Sequence, residues 1–139
     1  MAIYLTRRVT FAAAHRYRIT EWSDARNAET FGPCARPSYH GHSYVCDVTV
    51  TGTLDPVTGF IVDLSRLDAA LQSEVRDRFD HRNINVDVAE FADGRLVPTG
   101  ENLARFIGEK VQASLGTVAR VTRVVVAEDS TLSATYEPE

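Results

Sequence analysis

The chain is short of cysteine, of histidine and of long apolar runs, and each shortage excludes something. Two cysteines in 139 residues, Cys34 and Cys46, cannot build the disulfide framework of a small secreted domain. No stretch approaches the roughly 20 apolar residues that span a bilayer. Met1 to Arg8 run straight into a strand-like pattern with no signal-peptide core. Basic residues number 15 and acidic residues 19, a net charge of −4 with both signs interspersed. There is no basic stripe for nucleic acid and no acidic tail. Repeats, low-complexity tracts and linker-like composition shifts are absent too. These exclusions predict a cytosolic protein with one domain over residues 1–139, reduced thiols, and neither nucleic acid nor membrane as partner. At 44% hydrophobic and 24% charged residues, such a chain buries a real core.

What is present is concentrated around Cys34-Ala35-Arg36-Pro37-Ser38-Tyr39-His40-Gly41-His42. Two of the four histidines stand two residues apart, with a thiol six residues upstream. In a strand, side chains alternate, so His40 and His42 share a face with Cα atoms about 7 Å apart. That spacing suits two imidazoles converging on one ion, and Gly41 leaves the opposite face clear. Cys46 shares the face but lies about 13 Å along the strand, too far for the same ion, and reads as a small core residue.

Residues 3–15 read as a strand ending in Ala12-Ala13-Ala14-His15. Residues 16–39 are polar and irregular, and a connection of that length points to function. Residues 42–54 form the clearest strand, with His42, Tyr44, Cys46, Val48 and Val50 on one face. After a turn at Asp55–Gly59, Leu64, Leu67, Leu71, Val75 and Phe79 mark a helix capped by Asp63 or Ser65. Residues up to Pro98 read as loop. A second helix starts at Thr99 and ends at Gly116, with Leu103, Phe106, Ile107, Val111 and Leu115 as its stripe. Strands over 118–127 and 132–136 follow. The order predicts an α+β fold, a four-stranded antiparallel sheet with both helices on one face. The other face is then wet or covered by another subunit.

Three imidazoles among His15, His40, His42 and His81 would make a metal site with an open position, the catalytic pattern for zinc. Iron, nickel and copper also take imidazole. His81 directly follows Asp80, and a carboxylate beside an imidazole is an acid–base device, provided a turn or helix end lets the neighbours meet.

Six segments, in order over nearly the whole chain, carry a family resemblance. They are Phe11-Ala12-Ala13-Ala14-His15-Arg16, Cys34 with His40-Gly41-His42-Ser43-Tyr44, and Thr58-Gly59-Phe60-Ile61-Val62-Asp63. Phe79-Asp80-His81-Arg82-Asn83-Ile84-Asn85, Pro98-Thr99-Gly100-Glu101-Asn102, and Glu128 with Tyr136 complete the set. The chain resembles the 6-pyruvoyl-tetrahydropterin synthases, in the wider group that includes 6-carboxy-tetrahydropterin synthase.

The resemblance implies His15, His40 and His42 as Zn2+ ligands, Cys34 as the base, and Asp80 with His81 as its acid–base partners. It implies Glu128 as the anchor of the pterin ring, with Thr99 and Glu101 lining that pocket. The implied fold is the T-fold, its subunits joined into a barrel as a homohexamer of two trimers with sites between subunits. The implied substrate is 7,8-dihydroneopterin triphosphate, from which a zinc-dependent carbon–oxygen lyase eliminates triphosphate. Arg16, Arg18, Arg36 and Arg82 are candidates to meet the triphosphate. The six-residue spacing from Cys34 to His40 matches the animal-type synthase that makes the pyruvoyl product. The alternatives are the carboxy product with release of acetaldehyde, and an inactive zinc- and pterin-binding module.

Overall fold

A computed structural model describes residues 1–139. Two long strands, β1 (Tyr4–His15) and β2 (His40–Thr51), pair antiparallel, with His15 opposite His40 and Ala13 opposite His42. Strand β4 (Arg120–Asp129) pairs antiparallel with β2, and β5 (Leu132–Tyr136) with β4. The expected antiparallel order of these four strands is thus present.

The sheet has a fifth strand, so the four-stranded antiparallel expectation needs correcting. β3 (Arg82–Asn83) runs parallel to the outer side of β1, giving the order β3-β1-β2-β4-β5. Two residues hold no alternation, so this strand has no readable pattern. It is placed by Asp80 and His81, whose side-chain and backbone hydrogen bonds dock the chain on Ala12.

Helix α1 (Asp24–Phe31) follows β1, with Ser23 accepting from the Arg26 N–H as its cap. It leads into a 3-10 turn over Gly32–Ala35. After β2, Asp63 caps α2 (Leu64–Leu71), which passes through a π-helical turn (Gln72–Arg76) into α3 (Asp77–Phe79). The stretch expected to be loop holds α4 (Ile84–Asp87) and a 3-10 turn (Ala89–Phe91). Helix α5 (Gly100–Leu115) has Thr99 as its cap, and Gly116 at φ 59° ends it.

Both long helical segments lie on one face, as the periodicity predicts. Val9, Phe11 and Ala13 of β1, Tyr44, Cys46, Val48 and Val50 of β2, and Val121, Val124 and Val126 of β4 form the sheet side of the core. Leu67 and Leu71 of α2, Val75 of the π-helical turn and Phe79 of α3 close it, with Leu103, Ile107, Val111 and Leu115 from α5. Each fully buried side chain of this size contributes about 1.5–3 kcal/mol. At Gly108 an added Cβ would sit 3.3 Å from Val124 and 3.4 Å from the Tyr136 ring, so glycine there lets α5 lie close on the sheet.

The opposite face has no helix. It presents Thr6, Arg8, Thr10, Ala12 and Ala14 beside Ser43, Val45, Asp47 and Thr49, tied by an Arg8–Asp47 ion pair and a Thr6–Thr49 hydrogen bond. No helix is long and apolar enough to cross a membrane.

Candidate active site

Three imidazoles converge at the end of the β1–β2 ladder. Antiparallel register sets His15 beside His40, and alternation turns His40, His42 and His15 toward the helix-covered face. One nitrogen from each ring lies within 4.8 Å of the others. The rings stand edge-on, with centroids 4.7 Å apart for His15–His40 and 5.0 Å for both other pairs.

The surroundings fix which nitrogens point inward. His15 is fully buried, and its Nδ1 lies 2.9 Å from the Pro98 carbonyl. A carbonyl only accepts, so Nδ1 carries the proton and Nε2 presents a lone pair. Tyr44 Oη, 3.0 Å from Nδ1, is a second acceptor for that N–H. Burial, with further pressure from His40 and His42, lowers the His15 pKa to about 4. Burial and then His42 hold His40 down as well. Neutral imidazole is the metal-binding form. His42 Nε2 is buried without any hydrogen-bond partner, the kind of orphaned donor atom that metal ligation satisfies. The donor set therefore fits a divalent cation with an open position.

Glu128 on β4 comes up beside this centre, only 8% exposed. Its Oε2 lies 3.8 Å from His42 Nε2, and its Oε1 accepts a 2.9 Å hydrogen bond from the Tyr17 hydroxyl. Tyr17, Glu101, Glu128, Val126 and Ala134 help to line a cavity of about 290 Å³. Glu101 enters from the first turn of α5. Thr99 does not line this cavity; its hydroxyl accepts from the Asn102 N–H at 3.2 Å and starts the helix.

Tyr17 is a site residue that the sequence reading missed. It continues the His15 alternation by two residues, and that period was the available signal. Burial first, then the hydrogen bond to Glu128, pushes its hydroxyl pKa far up, so it remains a donor. Its ring meets His15 edge-on, with centroids 5.0 Å apart.

Cys34 sits half-buried in the 3-10 turn after α1, its carbonyl accepting from the Tyr17 N–H at 2.7 Å. Burial, and then the charge of Glu128, pushes its thiol pKa up.

Asp80 and His81 meet as the sequence requires, at a helix end. Asp80 terminates α3, and His81 takes a left-handed backbone at φ 60°. Asp80 Oδ1 accepts from the Ala12 N–H at 2.9 Å. Its Oδ2 accepts from Arg76 Nη2 at 2.8 Å and lies 3.1 Å from His81 Nδ1. The Ala12 bond, then His81 and Arg76, holds the Asp80 carboxyl below the usual range. The His81 side chain is 83% exposed. It lies over Ala12, Ala14, Gly41 and Ser43, on the bare face of the sheet. Within one chain, the acid–base pair and the three imidazoles are therefore on opposite faces.

Of the four candidate arginines, Arg16 pairs with Asp93 and Arg18 with Asp24, whereas Arg36 and Arg82 are exposed and make no ion pair.

Comparison with known proteins finds relatives over nearly the whole chain. The sequence profile described as "6-pyruvoyl tetrahydropterin synthase" matches residues 4–139. A 6-pyruvoyl tetrahydrobiopterin synthase from Poecilia reticulata is 40% identical over 112 residues, covering 81% of this chain and 75% of the relative. The Homo sapiens protein of that name is 36% identical over 135 residues, 97% of this chain and 91% of the relative. The solved structure of Caenorhabditis elegans 6-pyruvoyl tetrahydropterin synthase superposes with a TM-score of 0.93 at 34% identity. It is matched over 100% of this chain and 97% of that one. The chain belongs to the 6-pyruvoyl tetrahydropterin synthase family.

Proposed function

We propose that this chain is a zinc-dependent lyase that converts 7,8-dihydroneopterin triphosphate to 6-pyruvoyl-tetrahydropterin with loss of triphosphate. The observation that carries the reading is the convergence of His15, His40 and His42, with the buried Nε2 of His42 unpartnered, beside the Glu128 cavity. In this reading Glu128 accepts hydrogen bonds from the amino-pyrimidine edge of the ring, and Glu101 flanks it from the start of α5. Zinc held by the three imidazoles would supply Lewis acidity to the side-chain oxygens of the substrate and lower the pKa of the neighbouring thiol.

Cys34, as thiolate, removes the proton from the side-chain carbon next to the ring. Asp80 and His81 relay protons, so that hydrogen is delivered to the ring C=N bond while the side chain loses it. A second deprotonation, at the next carbon of the side chain, frees another electron pair, which forms a C=C bond and expels triphosphate as the terminal C–O bond breaks. The enol left behind ketonises to the pyruvoyl group. This internal transfer of hydrogen needs no redox cofactor. Arg36 and Arg82, unpaired and exposed, are the cations best able to meet the leaving group.

Asp80 and His81 face away from the imidazoles of their own chain, which supports a site completed by a second copy. We assign the acid–base pair to the neighbouring subunit's site in a homohexamer of two trimers, the bare sheet face being covered by assembly. Incubation with 7,8-dihydroneopterin triphosphate, followed by mass spectrometry, tests the reading. The expected result is 6-pyruvoyl-tetrahydropterin and triphosphate. Release of acetaldehyde with a 6-carboxy product would transfer the chain to the carboxy-forming reaction, and absence of turnover would make it a binding module.

A further inference from the structure

We propose that Tyr17 is a positioning residue whose hydroxyl holds the Glu128 carboxylate in the ring cavity and off the three-imidazole centre. The inference rests on the metal and ring-binding roles proposed above and adds the device that keeps them apart. Carboxylates are zinc ligands, and three imidazoles plus one carboxylate give the closed, four-coordinate set typical of structural sites. Glu128 is the carboxylate that threatens this closure, because its Oε2 lies 3.8 Å from the unpartnered Nε2 of His42. At 8% exposure, little water competes for it. One side-chain hydrogen bond opposes the closure, the 2.9 Å bond from Tyr17 Oη to Glu128 Oε1.

Tyr17 is itself well anchored. Its ring stands edge-on to His15 and to Phe31, with centroids 5.0 and 5.7 Å away, and its backbone N–H is bonded to the Cys34 carbonyl. The hydroxyl is therefore a fixed point from which the carboxylate is held, and Tyr17→Phe removes the tether while keeping the packing.

The test uses full-length protein loaded with cobalt(II), whose visible absorption reports coordination number, and 7,8-dihydroneopterin, which lacks the triphosphate and is not turned over. In Tyr17→Phe the cobalt spectrum should shift toward the closed set before any pterin is added, and dihydroneopterin affinity should fall by about tenfold. In Tyr17→Phe combined with Glu128→Gln, the cobalt spectrum should return to that of the wild type, a rescue that a purely structural role for Tyr17 does not produce. Identical cobalt spectra for wild type and Tyr17→Phe would overturn the inference alone. A wild-type protein that takes up no cobalt, or binds no dihydroneopterin, would take down the proposed site and the inference together.

Discussion

On the helix-covered face of the sheet, His15, His40 and His42 stand among packed rings, and a buried carboxylate and a cavity adjoin them. On the bare face, Asp80 is anchored by three partners while His81 extends into solvent. One face has the burial and the unpartnered nitrogen that binding requires. The other has an acid–base pair with nothing opposite it to act on. The difference teaches that, in the proposed mechanism, burial and orientation more than residue type separate a binding centre from half of a catalytic one. A lone Asp-His pair at a surface is inert chemistry until another surface brings it a substrate.

The largest effect is expected from dividing the two faces between chains. Cys34→Ala and His81→Ala should each abolish turnover as pure assemblies while keeping their metal. If every site joins the two faces of different copies, random mixing of the two variants restores about a quarter of wild-type activity, half of the thiols being intact and half of their partners. Mixtures as inactive as their parents would place both faces in one chain's site.

A smaller effect separates the faces by pH. His15 is buried with its pKa lowered to about 4, against about 6.5 in the unfolded chain. Below 6.5 the unfolded state binds the proton and the folded state does not. Stability of the metal-free protein is therefore full above pH 6.5 and falls toward pH 4, by about 3 kcal/mol. Urea unfolding across that range measures it, and the slope should shrink in His15→Gln if it folds, the depressed His40 supplying the remainder. Asp80, with its pKa depressed, adds a loss only at more acidic pH.

The smallest effect concerns Arg76. Its guanidinium binds Asp80 and the Thr10 carbonyl from the π-helical turn. Arg76→Met should lower kcat about fivefold with KM and metal content unchanged, the scale of one exposed charge-assisted hydrogen bond. An equal rise in KM would move Arg76 from the dyad to substrate binding.

Much of this arrangement was legible in the chain. The His40-Gly41-His42 alternation fixed a shared face, and the apolar stripes located both long helices. Convergence of His15 with that pair was legible only through the family resemblance and not from spacing, because the β1–β2 register is set across a 24-residue connection. Helix α1 escaped notice because its only buried residue is Asn27, which binds Ile19, Trp22 and Ser23 backbone groups instead of forming an apolar stripe. The Asp80-His81 pairing followed from sequence once a helix end was required, but which face it served depended on the docking of β3.

Tyr39 and His81 are the only residues other than glycine with positive φ, at 64° and 60°. Such backbone costs on the order of 1 kcal/mol or more in a residue with a Cβ, and glycine would relieve it. In the proposed mechanism, a His81→Gly chain would shed that strain together with the imidazole and its contact to Asp80. Under that mechanism the left-handed backbone at the end of α3 is what turns the imidazole outward, toward whatever surface assembly brings to it.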